Sequence, residues 1–231
     1  MFLVDLGLMT YNEAWNIQLK INEAVRQNKL PDVLLLVEHP PVLTVGRDGK
    51  ENNLLFPPEY FSNLSVEVFN VDRGGDVTYH GPGQLVGYPI LDLKARGKDL
   101  LQYIRTLEKS VINLLAQYDI QAGTIPGLTG VWAGNEKICA IGVGARAWVT
   151  KHGFALNVNT NLEHFSWIVP CGLRNKGVTS MEKLLGHYLD FSEVKNRYAE
   201  VFAETFRVSP ENIHPCKLKD LLEQVNEKSD D

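Results

Sequence analysis

Cysteine is scarce in this chain. Cys139, Cys171 and Cys216 are the only three in 231 residues. An odd, sparse set makes no disulfide framework, and free buried thiols in a reducing compartment are the ordinary reading. No Cys-x-x-Cys occurs. The six histidines, His39, His80, His152, His164, His187 and His214, fall at no usual ligand spacing, so no metal site is expected. There is no Gly-Lys-Ser/Thr and no Gly-x-Gly-x-x-Gly, which leaves nucleotide binding without a positive motif. Long apolar runs are missing, and residues 1–5 carry no basic n-region. Neither a spanning helix nor a signal peptide is expected, and a cytoplasmic location with no membrane partner is. A strong charge of one sign is missing too. The balance is 23 Lys+Arg against 28 Asp+Glu, a net −5, which speaks against a nucleic-acid partner.

What is present is an ordinary globular composition, 44% hydrophobic and 22% charged, in a chain long enough to bury a sizeable core. Residues 2–6 read as a first strand. Thr10-Tyr-Asn-Glu13 is a capping box opening a helix with Ala14, Ile17, Ile21, Ala24 and Val25 at helical spacing, ended by Pro31. Residues 33–37 and 42–45 are strands around the stiff turn His39-Pro-Pro41. Residues 46–64 read as a long, partly ordered loop. Val66, Val68 and Val71 mark another strand, and residues 85–91 a further one. Leu100, Ile104, Leu107, Val111, Leu114 and Leu115 mark a strongly amphipathic helix. Residues 130–158 read as several antiparallel strands. Asp190-Phe-Ser-Glu193 caps a helix to about Phe206, and a last helix follows Pro215. No repeat or low-complexity linker interrupts this. The expectation is α+β: one domain over residues 1–226, a mixed, mostly antiparallel sheet with packed helices, and a frayed tail at 227–231.

The densest chemistry lies in Arg73-Gly-Gly-Asp-Val-Thr-Tyr-His-Gly-Pro-Gly-Gln-Leu-Val-Gly-Tyr88. A core strand has no use for five glycines mixed with polar and titratable side chains. Glycine admits backbone angles closed to other residues and lets a ligand come close. Gly134-Asn-Glu-Lys-Ile-Cys-Ala-Ile-Gly-Val-Gly144 and Pro170-Cys-Gly172 read the same way. Cys171 stands between a stiffening proline and a glycine that leaves room beside the sulfur, a setting for an exposed nucleophile; the plainer reading is a buried structural thiol. Cys139 falls in a strand and reads as inert. A free thiol is only a few per cent thiolate at neutral pH, and a neighbouring cation raises that fraction. Lys137, opening an otherwise apolar strand, is the candidate cation; a solvated surface lysine is the alternative. His80, inside the glycine run, and His152, before Gly153, read equally as structural or as catalytic.

Three blocks carry a resemblance: His39-Pro-Pro-Val-Leu-Thr-Val-Gly-Arg47; the Arg73–Tyr88 run; and Gly130-Val-Trp with Lys137-Ile-Cys-Ala-Ile-Gly142, His152-Gly-Phe-Ala-Leu-Asn157 and Pro170-Cys-Gly172. Together they are similar to the lipoyl(octanoyl) transferase family, the lipoate-biosynthesis protein B enzymes, from His39 to about Met181. The resemblance implies a fold like the catalytic domains of biotin and lipoate protein ligases. It implies an acyltransferase that carries octanoyl from octanoyl-acyl carrier protein to a lysine of lipoyl domains, those of 2-oxoacid dehydrogenase E2 subunits and the glycine cleavage H protein. Cys171 would carry the acyl chain as a thioester, with Lys137 as its partner. The acyl-binding stretches would be Arg73, Gly74, Gly75, Asp76, Val77, Thr78, Tyr79 and His80; Ala140, Ile141 and Gly142; and Gly153, Phe154 and Ala155. No cofactor is implied beyond the phosphopantetheine that carries the donor. An ATP-dependent lipoate–protein ligase on the same scaffold, a non-catalytic lipoyl-domain binder and a Cys/His hydrolase remain as alternatives. The Pro-Cys-Gly motif with Lys137 favours the transferase.

Overall fold

The computed structural model describes residues 1–49, 53–169 and 176–227. In chain order the elements are β1 (Phe2–Leu8), α1 (Tyr11–Arg26), β2 (Val33–Glu38), β3 (Val42–Val45), α2 (Pro58–Asn63), β4 (Glu67–Asn70), β5 (Val77–His80) and β6 (Gln84–Ile90). Then come α3 (Leu100–Ala116), β7 (Gly123–Ile125), β8 (Leu128–Ala133), β9 (Glu136–Arg146), β10 (Val149–Asn157), β11 (Gly177–Val178), α4 (Met181–Leu185), α5 (Phe191–Phe206), β12 (Glu211–Asn212) and α6 (Pro215–Glu227).

The large sheet runs β12-β1-β2-β6-β10-β9-β8-β7, with β11 added beside β9. The contacts of β1 with β12 and β2, and of β11 with β9, are parallel; those from β2 through β7 are antiparallel. The small sheet is β4-β3-β5. The architecture is the expected α+β class with a mixed, mostly antiparallel sheet.

Helices cover both faces of the large sheet, which explains the unbroken apolar run of β2. Leu34 and Leu36 pack with Leu107, Val111 and Leu114 of α3 and Tyr198 and Phe202 of α5. Val33, Leu35 and Val37 face Ile21 and Val25 of α1 and Leu218 and Leu222 of α6. A strand buried on both sides has no polar face to alternate with. Leu107, Val111, Leu114 and Leu115 are fully buried, each worth roughly 1.5–3 kcal/mol against exposure. The capping box of α1 forms as read: Thr10 accepts from the Glu13 N–H, and Glu13 from the Thr10 N–H.

Two stretches differ from their reading. Residues 46–64 contain α2, which Pro58 starts with its preset φ and which buries Phe61 against Leu43, Tyr79 and Trp167. The glycine run supplies strand β5, and all seven residues of β6 are buried. The glycines fit there because they make room for rings. A Cβ on Gly87 would sit 2.0 Å from Cε1 of Phe154, and one on Gly81 would sit 1.8 Å from the Tyr79 hydroxyl.

Candidate active site

Register in β9 and β10 builds one wall of a cavity. Ala140 lies opposite Ala155, and Gly142 opposite Gly153. Strict alternation would put Lys137 on the face of Cys139 and Ile141, toward α3 and α5. It does not lie there, because the pairing with β8 slips by one residue. Val131 pairs Cys139 and Trp132 pairs Lys137, leaving Ile138 as a bulge. Ile138 and Cys139 both enter the α3/α5 core, and Lys137 turns to the other face, beside Ala140. A bulge re-aims a side chain in this way. Lys137 is 8% exposed, and its Nζ lies 4.8 Å from the centroid of the Trp132 ring. Its carbonyl accepts from the Thr179 N–H at 3.0 Å.

The opposite wall comes from the glycine run. Arg73 is buried, and its Nη2 donates to the Thr44 carbonyl at 2.8 Å and Oγ1 at 2.9 Å, its Nη1 to the Gly74 carbonyl at 3.1 Å. Its arm lies on β9: a Cβ at Gly142 would be 2.9 Å from Arg73 Cδ and from the Gly74 oxygen. Gly153 is forced likewise, since a Cβ there would be 2.1 Å from the Gly87 oxygen. Several of these glycines are thus accounted for by protein atoms rather than by ligand approach. Gly75, with φ of 84°, is needed for its backbone angle.

The space between these walls is narrow, about 50 Å³, below the ~300–1,000 Å³ usual for small-molecule sites. Lys137, Arg73, Gly75, Asp76, Val77, Thr78 and His80 line it, with Ala140, Ile141, Gly142, Gly153, Phe154 and Ala155. Two residues of the expected stretches do not. Gly74 donates its N–H to the Val143 carbonyl at 2.8 Å. Tyr79 points into the small-sheet core, where its hydroxyl meets His164 Nδ1 at 2.7 Å. Cys171, with Pro170 and Gly172, lies outside the described residues. The described chain rejoins β9 shortly after it, with Val178 registered against Lys137.

Polar groups at the inner end are satisfied in a relay. His80 Nδ1–H donates to Gln84 Oε1 at 2.8 Å, Gln84 Nε2 to Asn157 Oδ1 at 2.9 Å, and Asn157 Nδ2 to the Thr179 carbonyl at 2.9 Å. Burial holds the His80 pKa down to about 3. His39 donates to the Met9 carbonyl at 2.7 Å and meets the Tyr88 hydroxyl at 2.8 Å; burial lowers its pKa to about 4. Both rings are neutral at physiological pH. Burial also raises the Cys139 thiol far above its usual range, so that fully buried sulfur is inert, as its strand setting suggested. Among the described residues no group of three or more His, Cys, Asp or Glu is placed to hold a metal ion, and no helix is long and apolar enough to cross a membrane.

Sequence reasoning missed Tyr11 and Tyr88, which also line the cavity. Tyr88 closes the glycine run and was in plain view; Tyr11 sits in the first turn of α1, with no motif to mark it. Asp72, one residue ahead of the run, holds His152 and Lys151.

Residues 10–203 match the lipoyl protein ligase A/B catalytic domain. The chain belongs to that family. It is 52% identical over 203 residues to an octanoyltransferase of Caldicellulosiruptor saccharolyticus, covering 87% of this chain and 86% of the relative. With an octanoyltransferase of Caldicellulosiruptor bescii the identity is 50% over 94% of this chain and 96% of the relative. With one of Desulforamulus reducens it is 44% over 96% and 98%. Identity at this level with octanoyltransferases, over most of both chains, makes the chain an enzyme, an acyltransferase. Its fold is that of a lipoate-protein ligase A crystallised with ATP, with a TM-score of 0.74 at 19% identity over 98% of this chain and 94% of the other. A bi-partite lipoate protein ligase from Thermoplasma acidophilum, from a structural study of that ligase and its E2 lipoyl domain, gives 0.74 at 18% identity, over 98% and 92%. A biotin protein ligase from Aquifex aeolicus gives 0.55 at 16%, over 89% and 70%.

Proposed function

We propose that this chain transfers an octanoyl group from octanoyl-acyl carrier protein to the acceptor lysine of a lipoyl domain, through a thioester on Cys171. The observation that carries the reading is its 44–52% identity with octanoyltransferases over most of both chains. The lining of the site supports it, since Lys137 and most of the expected acyl-binding residues meet there. A thioester already stores the free energy of acyl transfer, so the reading needs no ATP and no cofactor. A covalent intermediate divides one transfer into two easier steps.

In the first step the Cys171 thiolate attacks the donor carbonyl, and the phosphopantetheine thiolate leaves with a proton from Lys137. In the second the acceptor amine attacks, the C–S bond breaks toward Cys171, and Lys137 takes a proton back. The six methylenes of an octanoyl chain, at ~0.8 kcal/mol each, give about 5 kcal/mol of binding in an apolar cavity. The acceptors on this reading are the lipoyl domains of 2-oxoacid dehydrogenase E2 subunits and the glycine cleavage H protein.

The test is intact mass after incubation with octanoyl-acyl carrier protein, then peptide mapping. An octanoyl adduct on Cys171, and transfer to a lipoyl domain that ATP leaves unchanged, are expected. Turnover that requires ATP and forms no adduct would replace the transferase with a ligase.

A further inference from the structure

We propose that His152 is the acceptor for the incoming amine: its Nδ1 receives the hydrogen bond, and then the first proton, of the lysine that takes up the acyl group. The proposal rests on the acyl-transfer reading above and assigns a group to its second step.

Five observations converge on this ring. Its Nε2 lies 2.9 Å from Asp72 Oδ1. A carboxylate only accepts, so Nε2 carries the proton and Nδ1 presents a lone pair. Nδ1 is buried and has no hydrogen-bond partner among the described residues, although buried polar atoms are nearly always paired. The ring lines the same cavity as Lys137 and Ala140. It stacks on Trp15 at 4.4 Å and 15°, which fixes its plane. Finally, His152 has φ of 59°, in the left-handed region that costs a residue with a full side chain and collects at functional sites. The surroundings hold that angle: the His152 N–H donates to Gln18 Oε1 at 2.9 Å.

Proton counting gives the lone pair its task. A free lysine has a pKa near 10.4 and arrives as an ammonium. Amide formation removes two protons from that nitrogen. Lys137, neutral after protonating the departing thiol, accepts one. The other must leave before the nitrogen lone pair can form the C–N bond. Entry into an apolar cavity lowers the ammonium pKa, and Nδ1 of His152 is an acceptor with no partner among the described residues. The resulting imidazolium faces Asp72, which also pairs with Lys151, and its proton passes to solvent at the half-exposed Asp72. The balance is thioester plus ammonium to amide, thiol and one proton. The other charged or titratable groups acting on the ring are Lys151 and Arg73, with His80 beyond.

The test separates the two half-reactions by mass spectrometry: loading of the enzyme from octanoyl-acyl carrier protein, then discharge on mixing with a lipoyl domain. Asp72→Asn keeps the size of a half-exposed side chain and reverses the ring. The new amide donates to Nε2 and sends the ring proton to Nδ1. Discharge should slow on the order of 10²-fold, at least tenfold more than loading. His152→Asn, compatible with the left-handed backbone, should show the same split. Discharge at the wild-type rate in Asp72→Asn, or equal slowing of both halves, overturns the proposal. A wild-type enzyme that never forms the adduct overturns the transfer reading, and this proposal with it.

Discussion

Lys137 and Trp132 stand opposite each other on β9 and β8, and the Ile138 bulge between their strands turns the lysine over the indole, 4.8 Å from its centroid. The ring is 3% exposed, so the contact is largely desolvated. Cation–π contacts are worth about 0.5 kcal/mol when exposed and about 2 kcal/mol when desolvated. Trp132→Leu should therefore cut transfer by roughly 2- to 30-fold, at about 1.4 kcal/mol per decade. Trp132→Phe should keep part of it. Steady-state rates read beside thermal melts decide: if Leu and Phe lose equal activity, the ring serves packing alone.

Two glycines of similar appearance in the sequence should behave differently. At Gly142 a methyl would press on Arg73 Cδ and the Gly74 oxygen, both 2.9 Å away; at Gly74 the nearest atom is the Val143 oxygen at 3.5 Å. Overpacking a tight site costs about 1–3 kcal/mol. In a protein of this size that lowers Tm by roughly 2–4 °C per kcal/mol. Gly142→Ala should show that drop and displace Arg73 from the cavity wall, while Gly74→Ala melts within a degree or so of wild type. Equal melting points would show that Arg73 gives way freely.

The buried histidines set a pH dependence. Burial lowers His39 to about 4 and His80 to about 3, against about 6.5 in the unfolded chain. Between those values the unfolded state binds more protons, so stability rises with pH. The contribution is complete above 6.5 and is lost as the pH falls toward the folded values. Going from pH 7 to pH 5 should cost about 2 kcal/mol per ring. Urea denaturation at the two pH values measures it, and His39→Gln should shrink the difference by one ring's share. A wild-type curve that is flat between pH 7 and pH 5 would contradict neutral burial.

The elements with local signals were legible. Thr10 and Glu13 sit three apart and close the cap of α1; Leu107, Val111 and Leu114 repeat at helical spacing and face the sheet. The cavity was legible in part, because its glycines, Arg73 and Lys137 cluster in two short motifs. What stayed hidden was register. Nothing local in Lys-Ile-Cys-Ala marks Ile138 as a bulge, so alternation alone puts Lys137 on the wrong face. The helix of residues 58–63 was concealed by its shortness, although Pro58 and Glu59 are a start signal. The pairing of Asp72 with His152 spans 80 positions and exists only once β10 is laid against the start of the glycine run.

The lysine itself gives the sharpest prediction. On the proposed mechanism its ammonium stabilises the Cys171 thiolate and then moves protons. Lys137→Met removes the charge and keeps most of the volume. The Ile138 bulge and the Trp132 contact surface survive, since Met stacks well on an aromatic ring. The protein should therefore fold with little change in Tm. Transfer should fall on the order of 10²–10⁴-fold, the usual loss with a general acid–base group. A cation beside a thiol depresses its pKa, so alkylation of Cys171 by iodoacetamide should titrate lower in the wild-type protein than in Lys137→Met, where it should approach the unperturbed value of about 8.5. Cys139 is fully buried and should not label in the folded protein, and Cys216 is an exposed control that should label alike in both. Superimposable Cys171 curves would mean that Lys137 does not activate the thiol, and a collapse of Tm together with activity would mean that the charge serves the fold.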